Sequence, residues 1–157
     1  MSENTHRVGA TSRLLAAYVL VLLSACGSNH VTTGIVDGRL TPCPESPNCV
    51  SSDAPDERHR IEPYRLKAAP EIAWRGLRDV VEAQERITVV TADDSYLHVE
   101  VRSAIFRFVD DAEFQLRAGD GIIAVRSAAR VGYGDLGVNR KRVETIREAL
   151  RARNLIE

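Results

Sequence analysis

Between Arg86 and Arg130 apolar side chains tend to recur at every second position, and this alternation constrains the fold more than any other feature of the chain. In "YLHVEVR" Leu97, Val99 and Val101 share one side while Tyr96, His98 and Glu100 share the other. A period of two belongs to a pleated strand with one buried face. "RITVVT" precedes it across the turn "ADDS", which predicts a hairpin. "AIFRFVDDAEFQLR" continues the pattern, with Phe106 and Phe108, then Phe114 and Leu116, at alternating positions and "VDDA" read as a bulge or kink. The turn "AGDG" then leads into "IIAVRSAAR", a further strand. Connections this short require antiparallel pairing.

Helical spacing brackets the strands. "PEIAWRGLRDVVEAQE" places Trp74, Leu77 and Val80 or Val81 on one stripe behind Pro70, with Glu71 in the first turn. Gly76 inside this helix costs up to about 1 kcal/mol against Ala and predicts a close neighbour there. "NRKRVETIREALRAR" aligns Val143, Ile146 and Leu150, with Asn139 expected as the N-cap. A short strand is expected within Ile61 to Leu66. The order predicts an α+β fold: an antiparallel sheet of about four to five strands with two helices packed on one face, preceded by a short disulfide-closed N-terminal loop.

Residues 1–25 stand apart from the fold. A polar stretch with Arg7 and Arg13 precedes the apolar run "LLAAYVLVLL" and the small residues of "LSAC". That layout is a secretory signal peptide, and ten apolar residues are too few to span a bilayer, which needs about twenty. "LSAC" also resembles the lipobox of bacterial lipoproteins, with Leu23, Ser24 and Ala25 before Cys26. The resemblance implies cleavage before Cys26 and acylation of that residue, giving a multi-chain membrane anchor. Gly27 rather than Asp follows, which points to the outer membrane, facing the periplasm. The expected division is a leader at 1–25, a lipid-anchored tether at 26–40 and one domain at 41–157.

Two cysteines remain, in "CPESPNC". In an oxidising compartment Cys43 and Cys49 are most simply a disulfide. Free thiols or a redox dithiol are the alternatives. Zinc would need two further ligands, and His30, His59 and His98 show no paired spacing, so neither a metal nor a cofactor is expected. A formal net charge of −1 offers no basic stripe, which argues against nucleic acid.

"GYGDLG" spells G-x-G-x-x-G after a strand and before a helix. A dinucleotide fold must then return to a second parallel strand with an acid about 20 positions on, and here the chain ends first. No dinucleotide is therefore expected. Loop geometry explains the glycines, and a second reading places a small anion on the helix N-terminus beside Arg130, Arg140 and Arg142.

"CPESPNCVSS", "FRFVDDAEFQLR" and "VRSAARVGYGDLGVNRKRVETIREAL" together resemble the domain-of-unknown-function family numbered 1499 over about Leu40 to Leu150. The resemblance implies no activity, substrate or cofactor. Ala129 and Gly134 stand where the family pattern has serine, so neither position supports a nucleophilic hydroxyl, and Ser127 alone remains. Ser51 and Ser52 have no evident His-Asp partners.

The candidate polar site is Asp110, Asp111, Glu113, Arg126, Ser127, Arg130, Asp135, Asn139 and Arg140. In one reading these side chains are an ion-pair network that closes the sheet onto the last helix. In the other they line a pocket where carboxylates act as acid and base and arginines clamp an anion. The first suits a binding or scaffolding module with a membrane anchor and an envelope protein partner. The second suits a hydrolase acting on an envelope component.

Overall fold

The computed structural model describes residues 32–157; the expected leader and Cys26, the expected acylation site, lie outside the described residues. Among the described residues eight strands and two α-helices follow in order: β1 Ile35–Val36, β2 Arg39–Leu40, β3 Cys49–Ser51, β4 Tyr64–Arg65, α1 Pro70–Glu82, β5 Ile87–Ala92, β6 Tyr96–Arg102, β7 Val109–Arg117, β8 Ile122–Ala129 and α2 Val138–Ala152. Six strands form an antiparallel sheet in the order β3-β8-β7-β6-β5, with the two-residue β4 also paired to β8. The fold is α+β, with both helices on one face.

That face carries the core. Leu97, Val99, Ala112, Phe114, Ile123 and Val125 project from the sheet onto Trp74, Leu77 and Val81 of α1 and Val143, Ile146 and Leu150 of α2. The stripes read from the sequence are therefore the packed ones. A Cβ at Gly76 would overlap Leu155 Cδ1, which is the close neighbour that a mid-helix glycine accommodates. Arg147 clamps α2 to the chain before β4: it donates to the carbonyls of Glu62 and Pro63 and lies 4.8 Å over the Tyr64 ring. Cys43 and Cys49 are joined, with their Cα atoms 5.7 Å apart.

Three local expectations need correction. Residues 34–40, read as tether, form the β1–β2 hairpin and pack on the second face of the sheet, where buried Leu40 meets Tyr96 and Ala124. The Phe106–Phe108 segment is an exposed loop, and "VDDA" is a regular part of β7, paired without a break to β6 and β8. Asn139 is not the N-cap of α2. Gly137 holds that position at φ 78°, and the Asp135 carboxylate accepts from the Gly137 and Asn139 amides.

Candidate functional site

Adjacent residues of a strand point to opposite faces, so Asp110 and Asp111 cannot belong to one site. The pairing of β7 with β8 divides the remaining candidates in the same way. Asp111, Glu113, Arg126 and Arg130 lie on the face beneath the β1–β2 hairpin. Asp110 and Ser127 lie on the helix face, where Asn139 and Asp135 join them from the start of α2 and the loop before it. Arg140 joins neither group; it donates to the carbonyls of Arg58 and Arg60.

Under the hairpin, Glu113 sits directly opposite Arg126 in the ladder. Its Oε2 lies 2.5 Å from Arg126 Nη1, and its Oε1 accepts from Tyr96 OH at 2.7 Å and the Gly34 amide at 2.6 Å. Glu113 and Arg126 are both fully buried, and Arg126 Nε has no hydrogen-bond partner among the described residues. Two residues along β7, buried Asp111 accepts twice from Arg130, at 2.7 and 2.8 Å, and lies 2.7 Å from His98 Nε2. Arg130 also donates to Glu100, which accepts from Arg102. Toward the other end, Asp53 takes a bidentate pair from Arg117 and accepts from the Leu40 amide, tying the hairpin to the sheet.

Burial alone would raise the pKa of Asp111, but the hydrogen bonds from Arg130 and His98 and their charges outweigh it and hold the carboxyl at about 2, below its ordinary 3.8. Since the folded value is the lower one, the carboxylate stabilises the fold above the unfolded value, and this contribution is lost as the pH falls toward 2. Between about pH 5 and pH 2 wild type should therefore lose about 1–2 kcal/mol more stability than Asp111→Asn, allowing for solvent screening. Parallel denaturant titrations of the two proteins at the two pH values measure this, and equal losses would refute it.

On the helix face, Arg142 is the hub. It donates to Ser127 Oγ at 2.7 Å, Asn139 Oδ1 at 2.5 Å and Asp110 Oδ2 at 2.6 Å. Ser127 Oγ also donates to Asn139 Oδ1, and Asn139 Nδ2 donates to the Asn48 carbonyl. Asn48 in turn binds the carbonyls of Ala129 and Gly132. Burial raises the Asp110 carboxyl above its ordinary value, against the pull of Arg142. Ser127 is thus a buried bridge in a lattice that joins β3, β8 and α2.

Other chemical readings meet the same obstacle. Asp135 already occupies the N-terminal amides of α2, where a small anion would bind. His59 lies against Asp56 and the Ser46 carbonyl, whereas Ser51 and Ser52 accept from the Asp53 and Val125 amides, so no triad forms. Among the described residues no three of His, Cys, Asp and Glu converge as metal ligands. The described surface depressions lie beside α1, beside the disulfide, between α2 and the preceding loops, and under the hairpin; of the nine candidates only Arg140 lines one.

Tyr96, His98 and Asn48 belong to these networks yet were absent from the candidates, and Arg142, expected among the arginines near the helix N-terminus, is the hub of one of them. Tyr96 and His98 were legible as the polar side of β6. Asn48 was not, because only the β3–β8 pairing brings it to Ala129. No curated protein and no solved structure matches the chain. A family model described as protein of unknown function (DUF1499) matches residues 39–150, most of the domain just described, and the chain belongs to that family.

Proposed function

We propose that this protein is a lipid-anchored binding module of the bacterial envelope, held by acylated Cys26 on the periplasmic face of the outer membrane. One observation carries the reading: the candidate acids and bases are bonded to one another or to backbone amides. Asp110 has Arg142, Asp111 has Arg130 and His98, Glu113 has Arg126, and Asp135 has two amides. A hydrolase acting through this cluster needs a carboxylate open to substrate and water, and these are engaged with partners on the two faces of the sheet and at the start of α2. The Cys43–Cys49 disulfide supports an oxidising compartment, and the lipobox-like "LSAC" supports the anchor.

Mass spectrometry of the N-terminal peptide from protein purified out of bacterial membranes tests the anchor. The expected product begins at Cys26 and carries a diacylglyceryl group and a further acyl chain. An intact leader, or an unmodified Cys26, would overturn the reading.

A further inference from the structure

Two loops meet at one end of the sheet, and among the described residues they hold most of the large exposed apolar side chains. Ile105, Phe106 and Phe108 stand on the β6–β7 loop, and Val131, Tyr133, Leu136 and Val138 on and beside the β8–α2 loop. The Arg130 amide donates to the Val109 carbonyl, so the loops are neighbours. Phe106 is 72 % exposed and Leu136 wholly so. Scattered apolar residues on a surface are ordinary, but a grouped set is not.

The backbone holds these side chains outward at a cost. Leu136 at φ 54° and Arg107 at φ 55° occupy the left-handed region that bulky residues avoid. Ser103 and Phe108 close the first loop with two hydrogen bonds, and the Phe106 and Phe108 rings stack at 5.5 Å in solvent. None of these side chains joins the protein's own core clusters.

We infer that this loop end is a membrane-contact tip, inserting Phe106, Phe108 and Leu136 into the interfacial layer of an anionic bilayer. Three observations select lipid over a protein partner. Tyr133 lines the depression beside the disulfide, whereas Phe106, Phe108 and Leu136 sit on adjoining loop tips and line none of the described depressions, which suits shallow entry into the boundary between headgroups and acyl chains. The charge around them is cationic on balance: Arg107 is the one charged residue of Ser103–Phe108 and Lys141 is exposed at the start of α2, against Asp135, which keeps its charge while accepting from two helix amides, and Asp110, which is paired with Arg142. That charge complements anionic headgroups.

The third observation is reach. Gly34 is bonded to Glu113 at the middle of β7 and Gly38 to Gln115 two residues further from the tip, so the first residues of the hairpin are the ones nearer the tip. Cys26 is only six residues before Thr32, a span of at most about 20 Å. An acyl anchor at Cys26 would therefore keep the domain close to the bilayer, with the tip within reach of it. Contact of this kind rests on the anchored reading above.

The test places a nitroxide on Cys introduced at Ile105 and, as a control, at Asp94 in the β5–β6 turn, in the full chain purified from membranes. The protein is reconstituted into vesicles of phosphatidylethanolamine and phosphatidylglycerol. The label at 105 should become protected from an aqueous nickel chelate and open to oxygen, at a depth of about 5–10 Å, while the label at 94 stays wet. Phe106→Ser combined with Phe108→Ser should lower the ratio of protected to exposed label at 105 by about tenfold or more. A label at 105 that stays as wet as that at 94 overturns the tip. Protection at 105 that is already present without vesicles also overturns it and assigns the surface to a second copy of the chain. The mass of the Cys26 peptide reads the anchor separately, so an acylated chain with a wet tip and an unacylated chain with a buried tip are distinct results.

Discussion

Replacing Arg126 with Met should lower the unfolding free energy by about 3–5 kcal/mol. The substitution roughly preserves volume, so the loss is electrostatic: Glu113 would remain fully buried with only Tyr96 OH and the Gly34 amide to hold its charge. A buried pair itself contributes little beyond its desolvation cost, whereas removing one partner exposes that cost in full. Adding Glu113→Leu should therefore recover much of the loss, short of all of it, because Tyr96 and Gly34 lose their acceptor. Urea titration with an unchanged slope is the measurement. A single variant as stable as wild type would mean that the Glu113–Arg126 pair is not the buried element described here.

Phe114→Ala should cost a similar amount, about 3–5 kcal/mol, and lower the melting temperature by on the order of 10–20 °C. Phe114 is central to β7, fully buried, opposite Leu97 on one side and Val125 on the other, and its ring stacks at 6.4 Å on Tyr64. Tyr64 OH donates to the Val143 carbonyl, so the cavity would open where the sheet, β4 and α2 meet. Neighbours fixed on three elements collapse poorly into such a space. A melting temperature within a degree or two of wild type would show that the core does not converge on this residue.

The two variants probe the two layers on either side of the sheet, and those layers differ in how much of them the chain announces. Leu97, Val99, Phe114, Val125 and the stripes of both helices were legible because apolar periodicity is a local property that burial then enforces. The pairing of the Asp110–Glu113 segment with β8 was legible too, since the short "AGDG" turn leaves few registers. What misled was a continuation of the same pattern: Phe106 and Phe108 alternate like strand residues, yet they stand in a loop where no partner strand buries them. Nor does composition distinguish residues 34–40 from a tether. Gly34 and Gly38 become part of the domain only through Glu113 and Gln115, nearly eighty positions away.

By itself the sequence determined the α+β class, the helix and strand faces and the family, because these rest on periodicity and on local strings. Only the tertiary structure decided that Asp110 and Asp111 serve separate networks, that Gly137 rather than Asn139 is the N-cap of α2, and that Asp110 and Asp111 are each paired with an arginine. The physical reason is the pleat. It sends successive side chains to opposite faces, and which charges meet there depends on pairing across strands, which no single stretch of chain contains.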